Sequence, residues 1–403
     1  MVNSRNMKMT PVGLIPEDWE VIQLADYIVD INDGPFGSNL KSEHYTLDRE
    51  VRIIQLGNVG DDGWNNENIK YTTFEHASTL KRCIVPYGTI IIAKMMPAGR
   101  AIICPSTEPA YIQGSDVIKV VFTDSIDKDF FIYLTKSKAY LEQIESGVQG
   151  STRARTNIGK IKSLKLPLPS VEEQNRIAGA LLSVDKMIRA LDEAIAKKRQ
   201  IKEGLMQQLL TGKTRLPGFN DEWKDYSLGE FSQIVMGQSP SSSYYNDKGE
   251  GLPLIQGNAD LKNRKSFIRI YTSMITKTCE AGDIIMSVRA PVGAVGKSSY
   301  KSCLGRGVCA IKASSDFLYH YLVYNENNWG QYSKGSTFDS INGDDLKAVV
   351  LHAPQSIEEQ NAIASILSKC ETELFQLENK RDKYCLIKQG MMQELLTGKT
   401  RLI

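Results

Sequence analysis

At 403 residues the chain is too long for one ordinary core and suits two domains of common size plus connecting elements. Its 41% hydrophobic and 24% charged content is that of a globular protein, and a net charge of only +2 excludes DNA binding carried by bulk basicity, leaving local patches. Seven cysteines, odd in number and without a CxxC pair, argue against a disulfide framework and for a reducing compartment.

In chain order, Met1 to Pro11 lacks an apolar run of the signal-peptide kind, and no later stretch approaches the roughly 20 apolar residues of a membrane helix. A cytoplasmic protein with no membrane partner is expected. Residues 1–168 read as a mixed α/β module opening at Trp19, with a β-branched run at Thr89–Ala93 and helical periodicity near Phe130–Ile144. Residues 169–216 read as one long helix. Ser170 with Glu173 forms a capping-box pattern, and Ile177, Leu181, Val184, Ile188, Leu191 and Ile195 recur at heptad spacing. Gly212 suits the position after the helix end, and Gly204 predicts a kink or a close helix contact.

Residues 217–354 repeat the front, opening at Trp223, with a strand near Asp283–Val288 and a helix near Phe317–Tyr324. Residues 355–403 repeat the long helix, with Ser356 and Glu359 as its cap and Ile363, Leu367, Cys370, Leu374 and Leu377 in register. Residues 172–216 and 358–402 align without a gap, 22 of 45 positions being identical. The chain is therefore two copies of one unit. Fainter matches link the fronts: Gln55 and Asn58 with Gln256 and Asn258, Pro86–Lys94 with Glu280–Val288, and Gly150–Thr152 with Gly335–Thr337. Drifted fronts on similar backs suggest two variable modules mounted on one scaffold.

Readers of DNA sequence use Arg or Lys for guanine edges, Asn or Gln for adenine, and many phosphate contacts. The segment Ser151–Lys165 carries Arg153, Arg155, Lys160, Lys162 and Lys165 with no acid, the strongest local basic footprint in the chain. Arg289 sits at a predicted strand-to-turn exit before Pro291. Gln55, Asn58, Gln256 and Asn258 have adenine-reading chemistry, although their recurrence equally suits turn-forming residues. Lys94, Arg100, Arg306, Ser336 and Thr337 complete the candidate set for DNA contact. Lys197-Lys-Arg199 reads as a solvated helix face. Gly212-Lys-Thr214 and Gly398-Lys-Thr400 imitate a phosphate loop, but Gln207 and Gln393 stand where its first glycine is required. His44, His76, His320 and His352 lie far apart with no metal-ligand spacing, so neither a metal nor a catalytic constellation is visible.

The segments PLPSVEEQNRIA and PQSIEEQNAIA, the two LLTGKTRL helix ends and the Trp-containing openings resemble the specificity subunits of type I restriction-modification systems. So do Gly34–Lys41, Gly237–Tyr245 and Ser287–Gly293. The resemblance implies two α/β target-recognition domains separated by two long helices that pair as an antiparallel coiled coil. It implies a non-catalytic subunit that reads a bipartite target in double-stranded DNA. It further implies two methyltransferase subunits and, through them, motor-nuclease subunits as partners. No cofactor is implied on this chain; S-adenosylmethionine belongs to the methyltransferase partner. Where the second module has Arg-Ala-Pro-Val-Gly, the first has Lys94-Met-Met-Pro-Ala-Gly99, so the modules are expected to read different bases. Beyond the heptad seam, Leu205, Leu209, Met391 and Leu395 are expected to leave exposed apolar faces for partners. Two rivals stand beside this reading: a methyltransferase or nuclease acting alone, which would bind S-adenosylmethionine or carry its own active site, and a coiled-coil scaffold without base readout, which would bind no DNA half-site.

Overall fold

The computed structural model describes residues 2–3, 6–35, 37–146, 155–332 and 340–403. The chain divides into two compact units, Met1–Ala190 with Arg381–Ile403, and Leu191–Lys380. Each unit holds one module, the first half of the long helix that follows it, and the second half of the other long helix.

In the first module the apolar run around residue 90 becomes the strand Ile90–Ala93, buried along its length. Such a strand needs cover on both faces, which explains its continuous rather than alternating pattern. It lies in an antiparallel sheet ordered Ala101–Ile103, Ile90–Ala93, Val117–Phe122, Ile28–Asp33. A second sheet is ordered Ala110–Gln113, Val51–Ile54, Tyr71–Thr72, Tyr45–Thr46, its first pair parallel. The second module repeats both orders. Val295–Lys297, Ile284–Ser287, Val308–Lys312 and Gln233–Met236 form one series. Ser302–Leu304, Leu252–Ile255, Tyr271–Thr272 and Tyr245–Asn246 form the other, again with a parallel first pair. The duplication therefore extends through the fronts, where sequence identity is faint.

The helical run near Phe130–Ile144 is two helices, Lys128–Leu134 and Lys138–Glu145, because the Ser137 hydroxyl accepts from Tyr140 N and starts a new helix. Phe317–Tyr324 is helical as read from the sequence. The two long helices are Val171–Leu209 and Ile357–Leu395, 39 residues each, or about 58 Å at 1.5 Å per residue. Space beside Gly204 and Gly390 is open and both helices continue past them, which corrects the expectation of a close contact there.

The capping boxes are half formed. Glu173 N and Glu359 N donate to the Ser170 and Ser356 hydroxyls at 3.3 Å. The two carboxylates do not return to the cap, because each is held elsewhere. In the first unit Glu173 accepts from Trp19 Nε1 at 3.0 Å and takes both ends of the Arg401 fork, at 2.6 and 2.8 Å. Asp18 takes the other side of the same guanidinium, which holds the Asp18 carboxyl below the usual carboxylate range. In the second unit Glu359 accepts from Trp223 Nε1 at 3.3 Å and from Arg215 at 2.7 and 2.8 Å. Gly398 and Gly212 take positive φ (+68° and +69°) beside Trp19 and Trp223, where a Cβ would meet ring atoms at 3.2 and 3.3 Å. The repeated Trp, Glu, Gly and Arg are thus two copies of one clasp, and Gly-Lys-Thr is its helix-end turn.

Within each unit the halves of the long helices run antiparallel. Asp185 pairs with Lys388 at 2.6 Å in the first unit. Lys202 with Glu371 (2.6 Å), Arg199 with Glu378 (2.5 Å) and Lys198 with Glu373 mark the second. Two of the three cations in Lys197-Lys-Arg199 therefore bind the facing helix rather than solvent alone. The heptad seam is partly reassigned. Leu191 and Ile195 are buried, and Val184, Ile188, Leu374 and Leu377 are half-buried. Ile177 and Leu181 belong to the first module's core, and Ile363 and Leu367 to the second's. Leu209 and Leu395 are buried in those same cores, with Leu205 and Met391 partly buried against them. The exposed apolar faces expected at these four residues are absent, because the helix ends close the module cores, where each buried Leu contributes ~1.5–3 kcal/mol.

Candidate nucleic-acid interface

In the second module the loops after Ile284–Ser287 and before Val308–Lys312 meet the turn after Leu252–Ile255. They enclose a cleft of about 210 Å³ lined by Ser239, Gln256, Asn258, Arg289 and Arg306 with the backbone of Gly257, Ala290 and Gly307. Four residues singled out from sequence are brought together here. Gly305 and Gly307 flank Arg306, and a Cβ at Gly307 would lie 2.1 Å from Gln256 O, so only glycine lets this loop press against that turn. Gly305 N donates to Ile255 O at 2.7 Å, and Arg306 N donates to Ser239 Oγ at 3.0 Å. Arg289 is fixed by a bridge to Ser340, with Ile341 N donating to Val288 O at 3.0 Å. Gln256 Nε2 donates to Tyr245 OH at 3.2 Å.

The corresponding cleft of the first module is smaller, about 100 Å³, and differently lined, by Pro35, Leu40, Tyr45 and Leu56 beside Gln55, Ser115 and Asp116. The bridge Met95–Arg155 matches Arg289–Ser340, which places Met95 opposite Arg289. The paired loops before Val117 and Val308 place Ser115 opposite Arg306. The candidate cations of this module are engaged. Lys94 pairs with Asp33 at 2.6 Å and donates to Ser115 O at 2.9 Å. Arg155 pairs with Asp116 at 2.8 Å, and Lys160 donates to Ser146 O at 2.8 Å. Arg100 donates to Met96 O at 2.6 Å and lies 3.6 Å from Asp61. Lys162 and Lys165 are exposed. Arg153, Ser336 and Thr337 lie outside the described residues.

Asn58 is a correction. It is fully buried, accepts from Gln55 N at 2.8 Å, and donates to Asn65 O and Glu67 O at 2.9 and 2.8 Å. All its polar capacity closes a turn, so it cannot reach a base. Its counterpart is not Asn258 but Asp260, buried and accepting from Gln256 N and Gly257 N at 2.7 and 3.1 Å. The sequence match fell two positions short: the second turn is one residue longer than the first, which leaves Asn258 facing the cleft. Asp260 was missed because Asn-Ala-Asp offers two residues able to close such a turn. Ser239 was missed as a site residue, although the Gly237–Tyr245 motif contains it.

A larger groove of about 480 Å³ along the start of the second long helix is lined by small and hydroxyl side chains with Asp316 and no Lys or Arg, which suits no polyanion. His44 and His76 stack at 4.0 Å, a proximity not visible in sequence. Among the described residues no group of three or more His, Cys, Asp or Glu is placed to hold a metal. Among the described residues no helix is long and apolar enough to cross a membrane.

The family described as type I restriction modification DNA specificity domain matches residues 16–203 and 220–384. Over 98% of its length the chain is 30% identical to the MjaX type I restriction enzyme specificity subunit of Methanocaldococcus jannaschii, covering 97% of that protein. It is 27% identical over 54% of its length to the MjaVIII specificity subunit of the same organism, covering 51% of it. In fold it is similar to the type I restriction-modification S subunit from M. genitalium, at TM-score 0.65 and 16% identity, with 98% of each chain covered. A chain from a structural study of the assembly of the type I restriction-modification system is similar at TM-score 0.58 and 23% identity, covering 96% of this chain and 99% of that one. With both halves matched by the family and its two-module, two-helix fold shared, the chain belongs to the type I restriction-modification DNA specificity family.

Proposed function

We propose that this chain is a non-catalytic subunit that reads a split target in double-stranded DNA, each module reading one half. The observation that carries the reading is a pair of clefts at the same place on two modules of one topology, with different linings. A shared frame with altered rim residues is what two readers of different base sequences require. The chain docks two copies of a methyltransferase subunit, since two similar units present two similar surfaces, and motor-nuclease subunits join through them. S-adenosylmethionine is bound by the methyltransferase partner and not by this chain.

The test is to co-express the chain with its methyltransferase and map methylated sites. Exchanging residues 218–353 for those of a relative is expected to change one half of the target and leave the other intact. A hybrid that altered both halves, or a complex saturating with a single methyltransferase, would sink the reading. Tight binding of S-adenosylmethionine by the isolated chain would restore the rival of an enzyme acting alone.

A further inference from the structure

We propose that the second module's cleft reads guanine through the guanidinium groups of Arg289 and Arg306, both of which line it, and that the first module reads its half-site without an arginine at that place; this rests on the DNA-reading function proposed above. The second module has four arginines. Arg264 is held by Glu326, with both forks at 2.6 Å, and Arg269 by Asp260 at 3.2 Å. Arg289 and Arg306 have no acidic partner among the described residues, and both line the cleft, which no carboxylate lines. A guanidinium left unpaired on a fixed backbone offers a planar fork to a ligand presenting two acceptors in one plane. The major-groove edge of guanine, O6 and N7, is such a ligand, and Arg is its commonest reader. Gln256, Asn258 and Ser239 beside them supply neutral donors and acceptors for adjoining base edges.

The backbone favours base reading over loose phosphate contact. Arg306 lies in the short link between Ser302–Leu304 and Val308–Lys312, strands of two different sheets, and Arg289 follows the strand Ile284–Ser287 after Val288, so neither rides on a free loop. In the first module the same positions are Met95 and Ser115. The nearby cations Lys94 and Arg155 are neutralised by Asp33 and Asp116.

The full complex of the chain with its methyltransferase is tested on duplexes carrying the mapped target. Each guanine of the second module's half-site is replaced in turn by 7-deazaguanine, which keeps base pairing but removes the N7 acceptor. At one or more of these positions the wild-type complex is expected to lose roughly 5- to 150-fold in affinity, the range for one bidentate pair. The variants Arg289→Gln and Arg306→Gln are expected to be insensitive to that replacement. A half-site without guanine, or no response to 7-deazaguanine by the wild-type complex, overturns the proposal even where a variant fails to fold. Equal weakening of all sequences by both variants, with a shallower salt dependence, assigns the arginines to phosphates and also overturns it. A wild-type complex that recognises no split target at all would instead refute the function on which the proposal rests.

Discussion

Gln55 and Gln256 hold the same place in the two modules, each donating its backbone N–H to a buried side chain that closes the turn, Asn58 in one and Asp260 in the other. A few ångströms outward the likeness ends. Met95, Ser115 and Asp116 stand in the first module where Arg289, Arg306 and Gly307 stand in the second. The difference separates residues that build the frame from residues that face outward. A buried turn tolerates only a side chain that satisfies its amides, because an unmet buried donor costs about 1–3 kcal/mol. The rim bears no such constraint and can carry any chemistry its ligand requires.

The largest effect is expected from a change that leaves both clefts untouched. Four residues inserted after Ile195 add one helical turn, ~6 Å. If helix length sets the separation of the half-sites, the target spacer lengthens by about one or two base pairs at 3.4 Å each. Both half-sites stay the same, as methylation mapping will show. Retention of the original spacing would mean that the helices are not the ruler.

The clasps come next. Glu173→Ala leaves Arg401, only 9% exposed at its side chain, with Asp18 alone, and Glu359→Ala strips Arg215, which is 28% exposed. Breaking a buried pair in this way costs about 3–5 kcal/mol. Denaturant titration is expected to show Glu359→Ala nearer the lower end, because solvent reaches Arg215. Equal losses would mean that the remaining Asp18 contact offsets the deeper burial of Arg401.

Acid is expected to distinguish the units. Three residues past a fully buried phenylalanine (Phe130, Phe317), the first unit has Tyr133, donating to Asp185 at 2.6 Å, and the second has His320, 2.9 Å from Ser368. Burial pushes the His320 pKa down to about 4 from 6.5. With the folded pKa depressed, the unfolded chain binds the proton first, so stability is full above pH 6.5 and falls as the pH drops toward 4. The full loss is about 3 kcal/mol. Hydrogen exchange against pH should show the second unit opening first, and His320→Gln should abolish the difference. The smallest effects compare the two asparagines. Asn58→Ala is expected to cost about 1–3 kcal/mol, whereas Asn258→Ala stays within ~0.5 kcal/mol and alters target preference instead. A stable Asn58→Ala variant with changed specificity would return Asn58 to the reading surface.

The sequence by itself determined the duplication, the two long helices and the family, because these rest on repetition, 3.5-residue periodicity and residues bound to one geometry. Trp19, Glu173, Gly398 and Arg401 recur as Trp223, Glu359, Gly212 and Arg215 since each clasp needs all four. Gln256, Asn258, Arg289 and Arg306 were legible as chemistry but not as a group, because their meeting depends on strand ends up to 50 residues apart. Only the tertiary structure decided that Leu209 and Leu395 close module cores, that Glu173 serves Arg401 rather than its own cap, and that Asn58 faces inward while Asn258 faces out. In each case the side chain had two possible partners, and burial selected one: an apolar surface or polar group takes the partner that removes water and leaves nothing unsatisfied.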